Sequence, residues 1–163
     1  MRIIHIISSL KDVSGPTQSV TNLCHEQIKK NQDVTLVSGD FKNASNQPHF
    51  SKTFSLGLGP KKLGRSPSLF RWLKSQCQEN ENIILHNHSM WHILALYGSW
   101  VKQSSNVKLI QSPRNALADF SLKSGSSLKP LFWKMLQEKS LKNVDCFHAT
   151  SQAEYEDIRA LGF

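Results

Sequence analysis

The chain has 163 residues, 39% of them hydrophobic and 20% charged, with a formal net charge of +8. That length supports one domain with a real hydrophobic core, and no apolar run reaches the roughly 20 residues of a membrane span. Three cysteines, Cys24, Cys77 and Cys146, lie far apart without a CxxC pair. This argues against a disulfide framework or a zinc knuckle and reads as buried cytosolic thiols.

Residues 2–7, "RIIHII", are β-branched and apolar, the pattern of a buried parallel strand. They are too short and too mixed for a signal peptide, so the reading is cytoplasmic. The loop "SSLKDVSG" leads to Gly15 and Pro16, a helix start, and Val20, Leu23, Cys24 and Ile28 recur at helical spacing. "DVTLVS" at 33–38 is a second strand. Residues 39–65 are polar loop with one short strand expected at "KTFSL". Ser66 caps a helix beginning at Pro67, with Leu69, Phe70 and Leu73 on its buried face.

"NIILHNH" is the next strand and "WHILALYGSWVKQ" the next helix, with His92 inside that helix. "NVKLIQS" is a strand, followed by a loop and a short helix within 114–127. Leu128, Leu131, Phe132, Met135 and Leu136 mark a longer amphipathic helix. "VDCFHAT" is the last strand. Ser151 and Glu154 form a capping box that opens a final helix, which Gly162 stops. This alternation predicts an α/β fold, a doubly wound, mostly parallel Rossmann-type sheet with helices on both faces. A single domain spans 1–163, with a boundary at its C-terminal end, where a helix is followed by no strand.

In such sheets ligands bind outside the carboxyl ends of the strands. Gly15 stands at a helix N-terminus, where free N–H groups favour an anion, although a plain Gly–Pro helix start is the competing reading and no GxGxxG is present. His86 and His88 alternate along a strand and share a face. Metal ligation, a histidine-lined polar pocket and packed structural histidines all remain open. The absence of an acidic residue between Glu81 and Asp119 disfavours metal. Arg114 just past a strand end suits phosphate or carboxylate; pairing with Asp119 is the alternative. Ser112 has no partnered base, and no nucleophile elbow is present.

The excess basic charge calls for nucleic acid, an anionic membrane surface or substrate phosphate as partner. Part of it lies in Lys61, Lys62, Arg65, Arg71 and Lys74, and part in Lys123, Lys129, Lys134, Lys139 and Lys142. Solvated helix faces are the competing account. The basic residues do not interleave with aromatic ones as a stacking platform would require, so no nucleic-acid partner is expected.

Four ordered segments resemble the N-terminal domain of glycosyltransferase family 4, the retaining nucleotide-sugar transferases of the GT-B fold. "MRIIHIISSLKDVSGPTQSVTNL" is similar to that family's first strand, glycine loop and first helix. "LHNHSMW" resembles its "HxHGxW" segment and "QSPRNALADFSL" its "sPRGMLxPWaL" segment. "KNVDCFHATSQAEYEDIRALGF" resembles its "xxADxixATSexExxxIrxlGf" segment. The likeness covers essentially the whole chain and points to the subset that builds bacterial surface polysaccharide.

The resemblance implies one half of a GT-B fold: an acceptor-side domain whose partner, a C-terminal nucleotide-sugar-binding domain, is absent from this chain. Gly15 matches the loop glycine near the donor diphosphate, with Ser14 in place of the glycine before it. His86, His88 and Trp91 match the histidine segment, with Ser89 in place of its glycine. Arg114 matches the basic residue facing donor sugar or acceptor, Asn115 replaces a glycine, and Leu117 matches. Asp119 and Phe120 stand for a proline–tryptophan pair. Ser151 and Glu154 match a helix start, mainly a structural cap.

The implied roles are catalytic for His88 and Arg114, donor-phosphate binding for Gly15, and acceptor binding for His86, Trp91 and Asn115. No metal and no cofactor are implied; the nucleotide sugar is a co-substrate. The implied partners are a glycan or lipid-linked acceptor, a separate donor domain, and an anionic membrane surface at the inner face, where the protein would be peripheral. The alternative is a non-catalytic domain that binds an anionic glycan or polyprenyl phosphate.

Overall fold

Six strands make one sheet in the order β3-β2-β1-β4-β5-β6, with every adjacent pair parallel. They are β1 (Arg2–Ile7), β2 (Asp33–Gly39), β3 (Ser51–Phe54), β4 (Ile83–Asn87), β5 (Val107–Gln111) and β6 (Cys146–Phe147). The structure is a computed structural model and describes residues 1–10, 14–39, 48–60, 63–79, 82–102, 106–124 and 127–163. Residues 11–13 of the first loop, residues 40–47, and Lys61, Lys62 and Glu81 are among those that lie outside the described residues. The expected doubly wound parallel sheet is what forms. Its order reverses between β1 and β4, the kind of crevice where such sheets bind ligands.

The central strands present two different faces. On one, Ile4, Ile6, Leu85, Val107 and Leu109 pack against α2 (Pro67–Glu79) and α3 (Tyr97–Val101) through Leu69, Leu73, Tyr97 and Val101. Each such fully buried aliphatic side chain contributes about 1.5–3 kcal/mol relative to exposure. Gly98 lets α3 lie close on β5, since a Cβ there would stand 2.8 Å from Leu109 Cδ1. On the other face, Ile3, Ile7, Val34 and Leu36 pack on Val20 and Cys24 of α1 (Gly15–Lys29).

The caps follow side-chain chemistry. Ser14 Oγ accepts from the Thr17 N–H and starts α1. Ser66 Oγ accepts from the Leu69 N–H and donates to the Ser55 carbonyl. Ser151 Oγ accepts from the Glu154 N–H at 3.1 Å and starts α7 (Gln152–Ala160).

Four readings change. The helix expected from Trp91 starts later: Trp91 has φ +68°, His92 is extended at φ −136°, and only then do a 3₁₀ turn (Ile93–Leu96) and α3 follow. His92 therefore precedes the helix. The last strand shrinks to the two residues Cys146–Phe147, flanked by backbone bonds from the Asp145 N–H to the Leu109 carbonyl and from the His148 N–H to the Gln111 carbonyl. Cys24 and Cys77 are buried, and burial pushes their thiols up to about 12 and about 11, but Cys146 is exposed.

The fourth concerns the amphipathic stretch, which forms α5 (Lys129–Phe132), a π-helical turn (Trp133–Gln137) and α6 (Glu138–Lys142), after α4 (Asp119–Lys123). The apolar stripe expected to face the core is largely in solvent: Leu128 is 68% exposed, Leu131 56% and Met135 57%. Gln137, Ser140 and Leu141 turn inward instead. The π turn admits one extra residue and rotates the helix face, which lets Gln137 Oε1 accept from the Trp91 N–H at 3.2 Å.

Candidate functional site

A cleft of about 240 Å³ opens beyond the carboxyl ends of β1, β4 and β5. Ser8, Ser9, Ser14, Thr17, His88 and Arg114 are among the residues that line it. Because all strands are parallel, the residues following β1, β4, β5 and β6 share this rim. Gly15, at the start of α1, and His88, Arg114 and Ser151, in the segments after β4, β5 and β6, accordingly lie along one edge.

Behind the cleft sits a buried layer of imidazoles. His5 and His86 are register partners on β1 and β4, and His88 lies two residues beyond His86 on the same face. The His86 and His88 rings are 4.0 Å apart between centroids, and His5 lies 5.0 Å from His86. Removal from water holds all three neutral. It pushes His5 down to about 4 and His86 to about 2, and His88 also falls far below the ordinary imidazole range. The Arg114 charge, and the neighbouring imidazoles, add to the depression.

The hydrogen bonds run in one direction. Arg114 Nη2 lies 3.4 Å from His88 Nδ1, His88 Nε2 lies 2.9 Å from His5 Nδ1, and His5 Nε2 lies 2.7 Å from Gln27 Oε1. A guanidinium only donates. His88 Nδ1 must then be a lone pair, so the His88 proton sits on Nε2 and is donated to His5 Nδ1. His5 in turn is protonated on Nε2 and donates to the Gln27 carbonyl oxygen. One assignment satisfies every member. His86 stands beside this chain and bonds through Nε2 to His148 Nδ1 at 3.2 Å.

His5, His86 and His88 each offer a ring nitrogen within 4.8 Å of the others, close enough to hold a metal ion. The bonding pattern does not favour that use. The lone pairs of His88 and His5 are already taken by Arg114 and His88, and the neighbouring charge is a guanidinium, not a carboxylate.

Arg114 does not pair with Asp119. Its side-chain hydrogen bonds go to His88 and to Ser19 Oγ, at 3.2 Å, both neutral, while the Glu154 carboxylate bears on it electrostatically and accepts from the Arg114 backbone N–H. Arg114 and Asn115 have φ +52° and +63°, so two successive residues take the left-handed conformation. Asparagine tolerates it, whereas an arginine there is strained by of order 1 kcal/mol or more. Glu154 holds the turn in place. Buried at the start of α7, its Oε1 accepts from the Asn115 N–H at 2.9 Å and its Oε2 from the Thr150 N–H and Oγ1, both 2.6 Å. Burial raises the Glu154 carboxyl, but these hydrogen bonds outweigh it and hold it below the usual range. Glu154 is thus a long-range clamp on the Arg114 loop, not the reciprocal cap of its own helix.

The structure brings His88 and Arg114 together in the cleft and places the other candidates around it. Gly15 is exposed, begins α1 beside the cleft, and has no atom within 4 Å of where a Cβ would stand. Ser14, in the position of the family's preceding glycine, is extended at φ −95° and needs no glycine. His86 lies behind His88. Asn115 contributes its backbone to Glu154. Trp91 donates from Nε1 to the Ala116 carbonyl and lies under the Lys129 ammonium, 4.2 Å from its ring centroid, beside Trp133.

Sequence reasoning missed His5, Gln27 and His148. The signal for His5 was its position, the one polar residue in an otherwise apolar strand interior. Several buried polar atoms on this rim have no hydrogen-bond partner among the described residues: Ser89 Oγ, His92 Nδ1, Ser112 Oγ and Arg114 Nε. Such groups are uncommon in packed cores and concentrate at functional sites.

No curated protein matches the sequence. Solved structures share the fold, two of them alpha-glucosyltransferases. One is an alpha-glucosyltransferase in complex with UDP and a 13-mer DNA containing an HMU base, 13% identical with TM-score 0.53, over 91% of this chain and 37% of that one. The other is an alpha-glucosyltransferase in complex with UDP and a 13-mer DNA containing a central A:G mismatch, 15% identical with TM-score 0.53, over 93% and 37%. The chain therefore spans little more than a third of those proteins. The profile of the glycosyl transferase 4-like domain family matches residues 14–163. The chain belongs to that family, and its six-stranded parallel sheet has the Rossmann-like fold of a GT-B half-domain.

Proposed function

We propose that this domain is the acceptor-side half of a retaining glycosyltransferase that moves a sugar from a nucleotide sugar to a lipid-linked or surface glycan of the bacterial polysaccharide type. The observation that carries it is the placement of Arg114 at the switch-point cleft, its side-chain hydrogen bonds made to neutral His88 and Ser19, beside the N-terminus of the 15-residue α1. Breaking the bond to the anomeric carbon leaves a nucleoside diphosphate whose growing charge needs fixed positive groups. Arg114 and the first turn of α1 near Gly15 supply such groups from this side. The second Rossmann-type domain, outside these 163 residues, supplies the rest of the donor site. Acceptor hydroxyls meet the His88, Trp91 and Asn115 side of the rim.

A lipid-linked acceptor is supported by the exposed stripe described above. Leu128, Leu131 and Met135, with Phe120 81% exposed on α4, lie among exposed Lys134, Lys139 and Lys142. Apolar residues flanked by lysines suit an anionic membrane surface. No helix among the described residues is long and apolar enough to cross a membrane.

The chain alone is expected to show no turnover with a panel of nucleotide sugars, because half the donor site is missing. Robust transfer or hydrolysis would overturn the half-site assignment. Co-sedimentation with anionic but not neutral vesicles is the expected lipid result. Vesicle binding without any nucleotide affinity would favour the non-catalytic binding domain. A salt-sensitive complex with duplex DNA would move the acceptor to nucleic acid.

A further inference from the structure

We infer that His5 and Gln27, on the buried first strand and the first helix, are positioning residues that fix the tautomer of His88 and so hold Arg114 as the anion ligand of the cleft. The inference rests on the transferase reading only for the identity of the anion. The relay itself is read from geometry.

Arg114 leaves its strand in a strained left-handed turn and reaches back over the rim, 26 residues in sequence from His88. A long, flexible side chain adopts one direction only where an acceptor waits for it. Ser19 Oγ is one such acceptor for Nη1 and His88 Nδ1 is the one for Nη2, but His88 accepts only in the Nε2–H tautomer. The other tautomer would point an N–H at the guanidinium. A lone imidazole interconverts between the two. Here the choice is made one layer deeper, because His5 Nδ1 accepts from His88 Nε2 and Gln27 Oε1 accepts from His5 Nε2. The ring planes of His5 and His88 are within 12° of parallel, with centroids 5.2 Å apart, which suits this head-to-tail bond. His5 is fully buried, so no solvent competes for its lone pair. Neither His5 nor Gln27 lines the cleft; both act through His88.

The test uses the chain labelled with ¹⁵N in histidine and arginine. Ring nitrogen shifts in the unmodified chain at neutral pH should show both His5 and His88 uncharged with the proton on Nε2. A proton on Nδ1 of either, or a charged ring, overturns the relay without any mutation. In His5→Phe, which removes the acceptor, the His88 ring shifts should move toward a tautomer mixture and the Arg114 guanidinium signals should broaden. Affinity for UDP should fall about tenfold, the size of one lost hydrogen bond of about 1.4 kcal/mol. Gln27→Leu, at a half-buried site, should give the same change to a smaller degree. His5→Asn, whose side-chain oxygen replaces the lone pair of Nδ1, should restore the signals and most of the affinity. Unchanged His88 and Arg114 signals in a folded His5→Phe or Gln27→Leu overturn the proposal. If the unmodified chain binds no UDP but the tautomers and their response are as expected, the relay stands and the nucleotide reading fails. If UDP binds but its affinity ignores His5 and Gln27, the nucleotide reading stands and the relay fails.

Discussion

The two faces of the central strands β1 and β4 have been built to different ends. Facing α2 and α3, Ile4, Ile6 and Leu85 are fully buried among aliphatic neighbours. Facing α1, the alternate positions His5, His86 and His88 interrupt a similar apolar surface near the carboxyl edge, flanked by Ile3, Ile7 and Ile84. The backbone is shared, so the strands are no less ordered on one side than on the other. What differs is the currency of packing: dispersion and burial on one face, directional hydrogen bonds between neutral rings on the other. The apolar face anchors the strands, and the imidazole face spends that rigidity on orienting one arginine.

Substitutions and pH separate the two. Leu85→Ala, on the apolar face, should cost about 2–5 kcal/mol in urea unfolding, the range for a buried leucine that leaves a cavity. A loss under 1 kcal/mol would mean that this face is not the anchor. The imidazole face should respond to acid instead. The folded histidines titrate below the ordinary value of 6.5, at about 4 for His5. The unfolded chain therefore takes up protons first, and the stability from neutral burial is fully present above pH 6.5 and drains away as pH falls toward 4. Each such group contributes a slope of about 1.4 kcal/mol per pH unit in that window. Thermal unfolding from pH 8 to pH 4 should show a plateau, then a fall starting near pH 6.5. A flat profile down to pH 5 would show that the imidazole layer is not buried neutral in solution.

How much of this was legible follows from the range of each interaction. The sheet was readable because β-branched runs, Pro16 after Gly15 and the Ser66–Pro67 start are local signals. So was the pairing of His86 with His88 on one face, since a strand alternates with period two. His5 required knowing that β1 and β4 are neighbours in the register His5↔His86, which no local pattern reports. The Leu128–Leu136 stripe misled because periodicity assumes 3.6 residues per turn, and a π turn at Trp133–Gln137 rotates the face. Glu154 was read from its own helix start, yet its carboxylate serves a loop 39 residues earlier. Ranges of that kind are set by tertiary structure.

Glu154 also supplies the gentlest and most discriminating comparison, because it is a buried charged acceptor on the same rim as the neutral rings. Its carboxyl lies below the usual value, so the stability it contributes is present above about pH 4.5 and is lost only as pH falls further. That window starts near where His5 stops contributing, while His86 continues to contribute down to about pH 2. Glu154→Gln keeps the size and one acceptor oxygen but removes the charge and leaves Thr150 or Asn115 with a poorer partner. The expected cost is about 1–3 kcal/mol, as for a charged hydrogen-bond acceptor. The fall between pH 6.5 and 4.5 should keep its slope in this variant, while the steeper loss below pH 4.5 should weaken. If the substitution instead flattened the upper window, the rim carboxylate and the imidazole layer would be one coupled unit, and the division between a histidine relay and a separately clamped Arg114 loop would have to be abandoned.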